Sequence, residues 1–196
     1  MAVSDDKRAQ ILDAAVEEFQ EHGFAATSMD RIAERAQVSK RTVYNHFEGK
    51  EALFHAICDI VAAEVNRALD VAFDPEQAIE PQLIALGWSE GRLMISPSFM
   101  KLARMTVGET LRDPDLAADM TVKMKHLPAL ERFFAAAHGA GVLQVPDPTL
   151  AGEQFIGLIK ARAFWPAVIS GEPLTSEEME QVIRQSVDFF MKNYAP

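Results

Sequence analysis

Residues 27–47 read "TSMDRIAERAQVSKRTVYNHF", a run holding two helix-start signals and one turn. Thr27-Ser28-Met29-Asp30 has the form of a capping box, so the spacing predicts a helix that buries Ile32, Ala33 and Ala36. Gln37-Val38 is a short turn, and Ser39 is placed to cap the next helix. Two short helices across a tight turn form the helix-turn-helix layout. On the later helix, at about 100° per residue, Val43 and Phe47 share the inward side. Arg41 and Asn45 then lie nearly opposite, one turn apart, with Thr42 and Tyr44 on the flanks. Arg pairs bidentately with guanine and Asn with adenine, so this outward pair suits a major groove. Tyr44, His46 and Lys50 carry donors able to grip phosphate on either side, although Tyr44 and His46 also fit as half-buried helix-end residues. Lys50 follows Gly49 at the start of a fourth helix, where backbone N–H groups also suit phosphate.

Charge counting alone leaves the question open. Across 31–50, five Lys or Arg (Arg31, Arg35, Lys40, Arg41, Lys50) stand against two acids (Glu34, Glu48), in a chain of net charge -10. Screening limits each charge to about 8–10 Å, so an acidic protein can still bind a polyanion. A merely solvated face has the same count.

Upstream, Ser4 with Asp5 and Asp6 is a helix start. Leu12, Ala15, Val16 and Phe19 form a buried stripe, and Gly23 fits the position past the helix end. Lys7 and Arg8 sit where the dipole disfavours cations, and either phosphate binding or solvation accounts for them. Downstream, a fourth helix runs to about Phe73, Asp74-Pro75 caps a fifth, and Ser96-Pro97 starts a sixth. Asp113-Pro114-Asp115 precedes a seventh ending near His138-Gly139, and "GAGVLQVPDPT" is a loop before the eighth. Pro166 predicts a kink or early end there, and Thr175 opens the ninth. The fold class expected is all-α, about nine helices, with residues 1–49 as a DNA-binding domain and 50–196 as a second helical domain.

The 196 residues, 48% hydrophobic, suffice for a real core. No run of about 18 apolar residues is present and the N-terminus is charged, which predicts a soluble, cytoplasmic protein with no membrane partner. A lone Cys58 excludes an internal disulfide and a Cys-rich zinc site, and reads as a buried filler. Of the scattered histidines only His55, with Asp59, has metal-like spacing, more simply a surface hydrogen bond. No P-loop, Gly-rich dinucleotide turn or G-x-S-x-G is found, so neither enzyme nor cofactor is expected. Two classes remain: a ligand-responsive DNA-binding regulator, or a small-molecule-binding or catalytic helical protein without operator binding.

The run "ILDAAVEEFQEHGFAATSMDRIAERAQVSKRTVYNHFEGKEALF" resembles the DNA-binding domain of the TetR family of bacterial regulators, over roughly residues 8 to 54. The resemblance implies that Thr27 and Ser28 contact phosphate, that Lys40 to Asn45 read the groove, and that Tyr44, His46 and Lys50 clamp the backbone. Where the family usually has Gly before the helix-turn-helix Val, this chain has Gln37; the departure is expected to alter the turn locally and to let Gln37 reach DNA. "KLARMTVGETLRDPDLA" is similar to the corresponding part of AefR-like members.

The middle helices carry Trp88, Met94, Phe99, Met100, Met105, Met120, Met124, Phe133 and Phe134. Singly these read as core; together, with methionine's adaptability, they suit a wall that reshapes around a ligand. The resemblance implies an effector pocket among them, and the few polar interruptions favour a small apolar effector. The last two helices are apolar on more than one face: Phe155, Ile156, Leu158 and Ile159 do not all fit one monomer core. With Ile183, Phe189 and Phe190 they predict a homodimer built through a four-helix bundle, reading a palindromic double-stranded DNA operator.

Overall fold

The computed structural model describes residues 2–125 and 128–196, apart from the side chains of 2–5, 119 and 122–125. Among the described residues there are eleven helices and no strand. They are α1 (Ala2–His22), α2 (Met29–Arg35), α3 (Lys40–His46), α4 (Lys50–Ala68), α5 (Ile79–Met94), α6 (Pro97–Thr110), α7 (Pro114–Lys125), α8 (Pro128–Gly139), α9 (Pro148–Arg162), α10 (Phe164–Ser170) and α11 (Ser176–Tyr194). By packing, one unit comprises Met1–Ala62 with Lys101–Lys123, and a second Ala63–Met100 with Met124–Pro196.

Among the described residues eleven helices stand where nine are expected, and the differences fall at residues 126–127 and near Pro166. The expected seventh helix is described as α7 and α8, with residues 126–127 between them outside the described residues. Pro166 becomes the third residue of α10, where a missing N–H costs no helical bond, and α9 ends earlier, at Arg162. Asp74 does not cap α5. Its carboxylate accepts from the Glu76 N–H at 3.0 Å in a separate turn, and α5 starts at Ile79.

In the first unit, Ile11, Leu12, Ala15 and Phe19 of α1 meet Ile32 and Ala33 of α2, Val43 of α3, and Leu53, Phe54 and Ile57 of α4 in one apolar core. Phe24 packs its ring 5.2 Å from that of Phe19 and 5.4 Å from that of Phe54. The expected capping box shifts by one residue. Ser28 is the cap, its Oγ accepting from the Arg31 N–H at 3.4 Å, and no acid stands three residues on to return the bond. Thr27 turns inward, with its hydroxyl 3.1 Å and 2.9 Å from the carbonyl oxygens of Glu18 and Gly23 at the end of α1.

Gln37 keeps the turn rather than altering it. It takes a left-handed φ of 51°, its N–H donates to Glu34 O at 3.0 Å, and the Val38 N–H donates to Ala33 O at 3.0 Å. These two bonds are the Schellman arrangement, which normally puts glycine at this position.

In the second unit, Phe73, Phe133, Phe134, Phe155 and Phe190 form a chain of ring contacts with neighbouring centroids 5.3–6.0 Å apart. Helix α5 lies close on α11 because Gly87 leaves room: a Cβ there would stand 2.8 Å from Ile183 Cγ2. Within this packing Glu90 of α5 is only 2% exposed, and its Oε1 meets Lys160 Nζ of α9 at 2.9 Å. Burial pushes the Glu90 carboxyl above its ordinary range, and the Lys160 ammonium opposes that shift.

Replacing Gln37 by Gly should stabilise the protein by about 0.5–1 kcal/mol, because the left-handed conformation costs glycine least. Gln37→Val should destabilise it, and thermal unfolding of both variants reads the two signs. Glu90 gives a pH dependence. Its pKa is higher folded than unfolded, so folding takes up a proton, and its contribution to stability falls as pH rises from the ordinary carboxylate range through the raised value. Glu90→Gln should remove that decline from a urea-unfolding series across pH.

Candidate nucleic-acid interface

Helix α3 is two turns long, and the core fixes its rotation. Val43 is fully buried and Phe47, just past the helix end, nearly so, while Arg41, Tyr44 and Asn45 are exposed. The Ser39 Oγ accepts the Thr42 N–H at 3.1 Å and lies 2.8 Å from the Thr42 hydroxyl, which closes the helix start. Among the described residues no side-chain hydrogen bond or ion pair engages Arg41, Tyr44, Asn45 or His46. Tyr44 is 54% exposed, whereas His46 is half-buried, as the helix-end alternative anticipated. Guanidinium, carboxamide and phenol therefore share one accessible side of a helix whose opposite side is locked.

The other expected cations are occupied. Arg31 Nε pairs with Glu18 at 2.9 Å, and Arg35 bonds Glu18 at 2.7 Å, Glu17 at 3.0 Å and Glu21 at 2.9 Å. Arg35 in turn holds the Glu21 carboxyl below its usual range. Lys40 pairs with Asp30, an exposed contact that a phosphate could exchange at small cost. Lys50 directs its ammonium onto carbonyl oxygens of residues 24, 25 and 27. Three of the five cations counted along 31–50 thus meet carboxylates and Lys50 meets carbonyls, and Arg41 is the one of the five without an internal partner among the described residues. Ser28 is exposed at the start of α2, whereas buried Thr27 spends its hydroxyl internally. Gln37, at the turn, is exposed.

Sequence reasoning left out the acids Glu17, Glu18 and Glu21 of α1. Their spacing of one, three and four residues was the available signal. Glu18, Glu21 and His22 have ligand atoms within 4.8 Å of one another, but Arg31 and Arg35 already engage the two carboxylates.

The expected effector residues are distributed. Met94, Phe99 and Met100 are buried in the second unit, and Phe133 and Phe134 belong to its aromatic chain. Trp88 is half-buried, its indole N–H donating to Glu180. Met120, with Met105, packs on the core of the first unit, and the Met124 side chain lies outside the described residues. Of the residues expected at a dimer interface, Phe155, Ile159, Ile183 and Phe190 are buried within one protomer; only Phe189, 57% exposed, lies outside. Ile156 is buried as well, so α9 fits more of its apolar residues into one monomer core than its sequence suggests. The reason is that α5, α8 and α11 all pack on α9 and cover it from several sides. A groove of about 1250 Å³ runs along what remains, lined by Leu150, Gly157, Leu158, Phe189 and their neighbours on α9 and α11.

No described helix is long and apolar enough to cross a membrane. Residues 11–57 match the family described as bacterial regulatory proteins, tetR family, and residues 81–196 match the AefR-like transcriptional repressor, C-terminal domain. The chain is similar to a TetR family transcriptional regulator from Pseudomonas syringae pv. tomato str. DC3000, at 38% identity and TM-score 0.83, over 97% of this chain and 98% of that one. It is similar to the flavonoid-responsive regulator FrrA at 30% identity and TM-score 0.78, over 98% of each chain. The HTH-type transcriptional repressor SCO4008 of Streptomyces coelicolor is 26% identical over 86% of this chain and 83% of its own. Three other curated relatives are matched over only 38%, 36% and 42% of their own length.

Proposed function

The chain belongs to the TetR family of bacterial regulatory proteins, and from that premise we propose that it is a ligand-responsive repressor binding a palindromic operator as a homodimer. The observation that carries this reading is the outward pair on α3: Arg41 and Asn45, exposed and without partners among the described residues, opposite the buried Val43 and Phe47. Arg41 and Asn45 read base edges, and Thr42, Tyr44, His46, Ser28 and Gln37 line the approach to the backbone. Lys40 exchanges Asp30 for phosphate on binding. Residues 1–49 serve DNA and 50–196 serve effector binding and dimerisation.

The dimer is assigned to the exposed face of α9 and α11, where Leu150, Leu158 and Phe189 border the groove and Gly157 has no atom within 4 Å of an added Cβ. The effector is small and apolar, held among Trp88, Met94, Phe99 and Met100, whose methionines can repack. A full-length relative named as flavonoid-responsive supports control by a small molecule. By population shift, an effector that releases the operator binds the DNA-incompetent state more tightly.

Arg41→Ala and Asn45→Ala should each cost about 1–3 kcal/mol of operator affinity and relax base preference, in titrations against an operator selected from random duplexes. Equal losses on operator and random DNA would contradict base reading. Phe189→Asp should yield a folded monomer in sedimentation, whereas Phe155→Asp, placing a charge in the aromatic chain, should unfold. A wild-type monomer at micromolar concentration removes the dimer.

A further inference from the structure

Between α1 and α6, wholly within the first unit, lies a cleft of about 560 Å³, a volume in the range of small-molecule sites. It includes none of Trp88, Met94, Phe99 and Met100, which belong to the second unit. The acids that line it are already engaged. Glu17 and Glu21 of α1 accept from Arg35 at 3.0 Å and 2.9 Å, and Glu109 of α6 accepts from Arg112 at 2.8 Å. The donors are in a different position. Lys101 and Arg104 stand one turn apart on the α6 wall, and Lys101 is exposed with no partner among the described residues. Across from them Gln20 of α1, also exposed, keeps its carboxamide without a partner among the described residues. Further along α6, Met105 packs half-buried on the core of the first unit and supplies an apolar wall. At Gly108 the cleft is open, since an added Cβ would meet nothing within 4 Å.

We propose that this cleft binds a small organic carboxylate, its anionic head on Lys101 and Arg104 with the Gln20 amide as a further donor, and its short apolar body along Met105 over Gly108. The chemistry selects the head group. Every carboxylate in the lining has its own arginine, so the positive charge of Lys101 and Arg104 is left to meet an acceptor from outside. A neutral molecule of the same shape would strip water from the Lys101 ammonium and return no charge to it. The site is separate from the apolar effector assigned above and does not depend on the DNA-binding reading.

The test titrates the full-length protein with hexanoate and with hexanamide, its neutral isostere, and follows the methionine methyl groups by NMR. The Met105 signal is assigned with Met105→Leu. Hexanoate is expected to shift the Met105 methyl saturably, and hexanamide at the same concentrations is not. Lys101→Met keeps most of the stem and removes the charge, and should weaken hexanoate by about three- to tenfold. Gly108→Leu fills the cleft with a better helix former, so it should abolish the shift without lowering the thermal unfolding midpoint. Equal binding of hexanamide, or unchanged hexanoate affinity in both variants, shows that no anion site is present and overturns the proposal. A saturable shift confined to Met94 and Met100 places hexanoate among the residues assigned to the apolar effector and overturns it too, as does the absence of any saturable shift at Met105. If Gly108→Leu does not fold, Lys101→Met decides alone, since a carboxylate site predicts loss and an apolar contact predicts retention.

Discussion

A helix of two turns does not persist in water by itself, because nucleation costs more than so few hydrogen bonds return. Helix α3 therefore exists in this orientation because Val43 and Phe47 are buried, and every functional statement about the reader depends on that anchoring. Once these two side chains are fixed, the helical period leaves Arg41 and Asn45 no direction but outward. The caps then refine what burial has decided: the Ser39 side chain closes the front of α3, and the Schellman turn at Gln37 sets its angle to α2.

Charge plays a different part from the one the sequence suggests. Cations that look like a basic surface when read along the chain are, in space, tied down. Arg31 and Arg35 brace α2 against the acids of α1, Lys40 meets Asp30, and Lys50 meets backbone carbonyls. Glu18 is nearly buried, so its two arginine partners matter: leaving a buried carboxylate unpaired costs more than the pair itself contributes. The reader is thus a rigid scaffold with few free polar groups, in a chain whose overall charge opposes DNA.

Much of this was legible in the sequence because it depends on local period and local caps. The α3 wheel, the Ser39 cap, the Gly23 stop and the Thr175 start all follow from neighbours within four residues, and the structure places each as expected. What failed depended on neighbours far along the chain. Thr27 was read as a cap because its spacing to Asp30 is right, but the carbonyls of Glu18 and Gly23 claim its hydroxyl. Phe155, Ile159, Ile183 and Phe190 were read as an interface because one helix cannot bury so many faces against a single neighbour; α9 has several neighbours, and all four side chains lie inside the protomer. The carbonyls that Lys50 meets lie more than twenty residues away and leave no trace in a motif.

The central claim is that Arg41 meets a base edge in the major groove, and a coupling measurement across the interface tests it most directly. Wild-type protein and Arg41→Ala would each be titrated with operators in which every guanine of a half-site is replaced in turn by 7-deazaguanine, which has C–H in place of the N7 acceptor. The account predicts one guanine per half-site at which the replacement weakens the wild type but adds nothing to the loss already present in Arg41→Ala. Additive losses at every guanine would mean that Arg41 does not read a base there, and would contradict the account at its root.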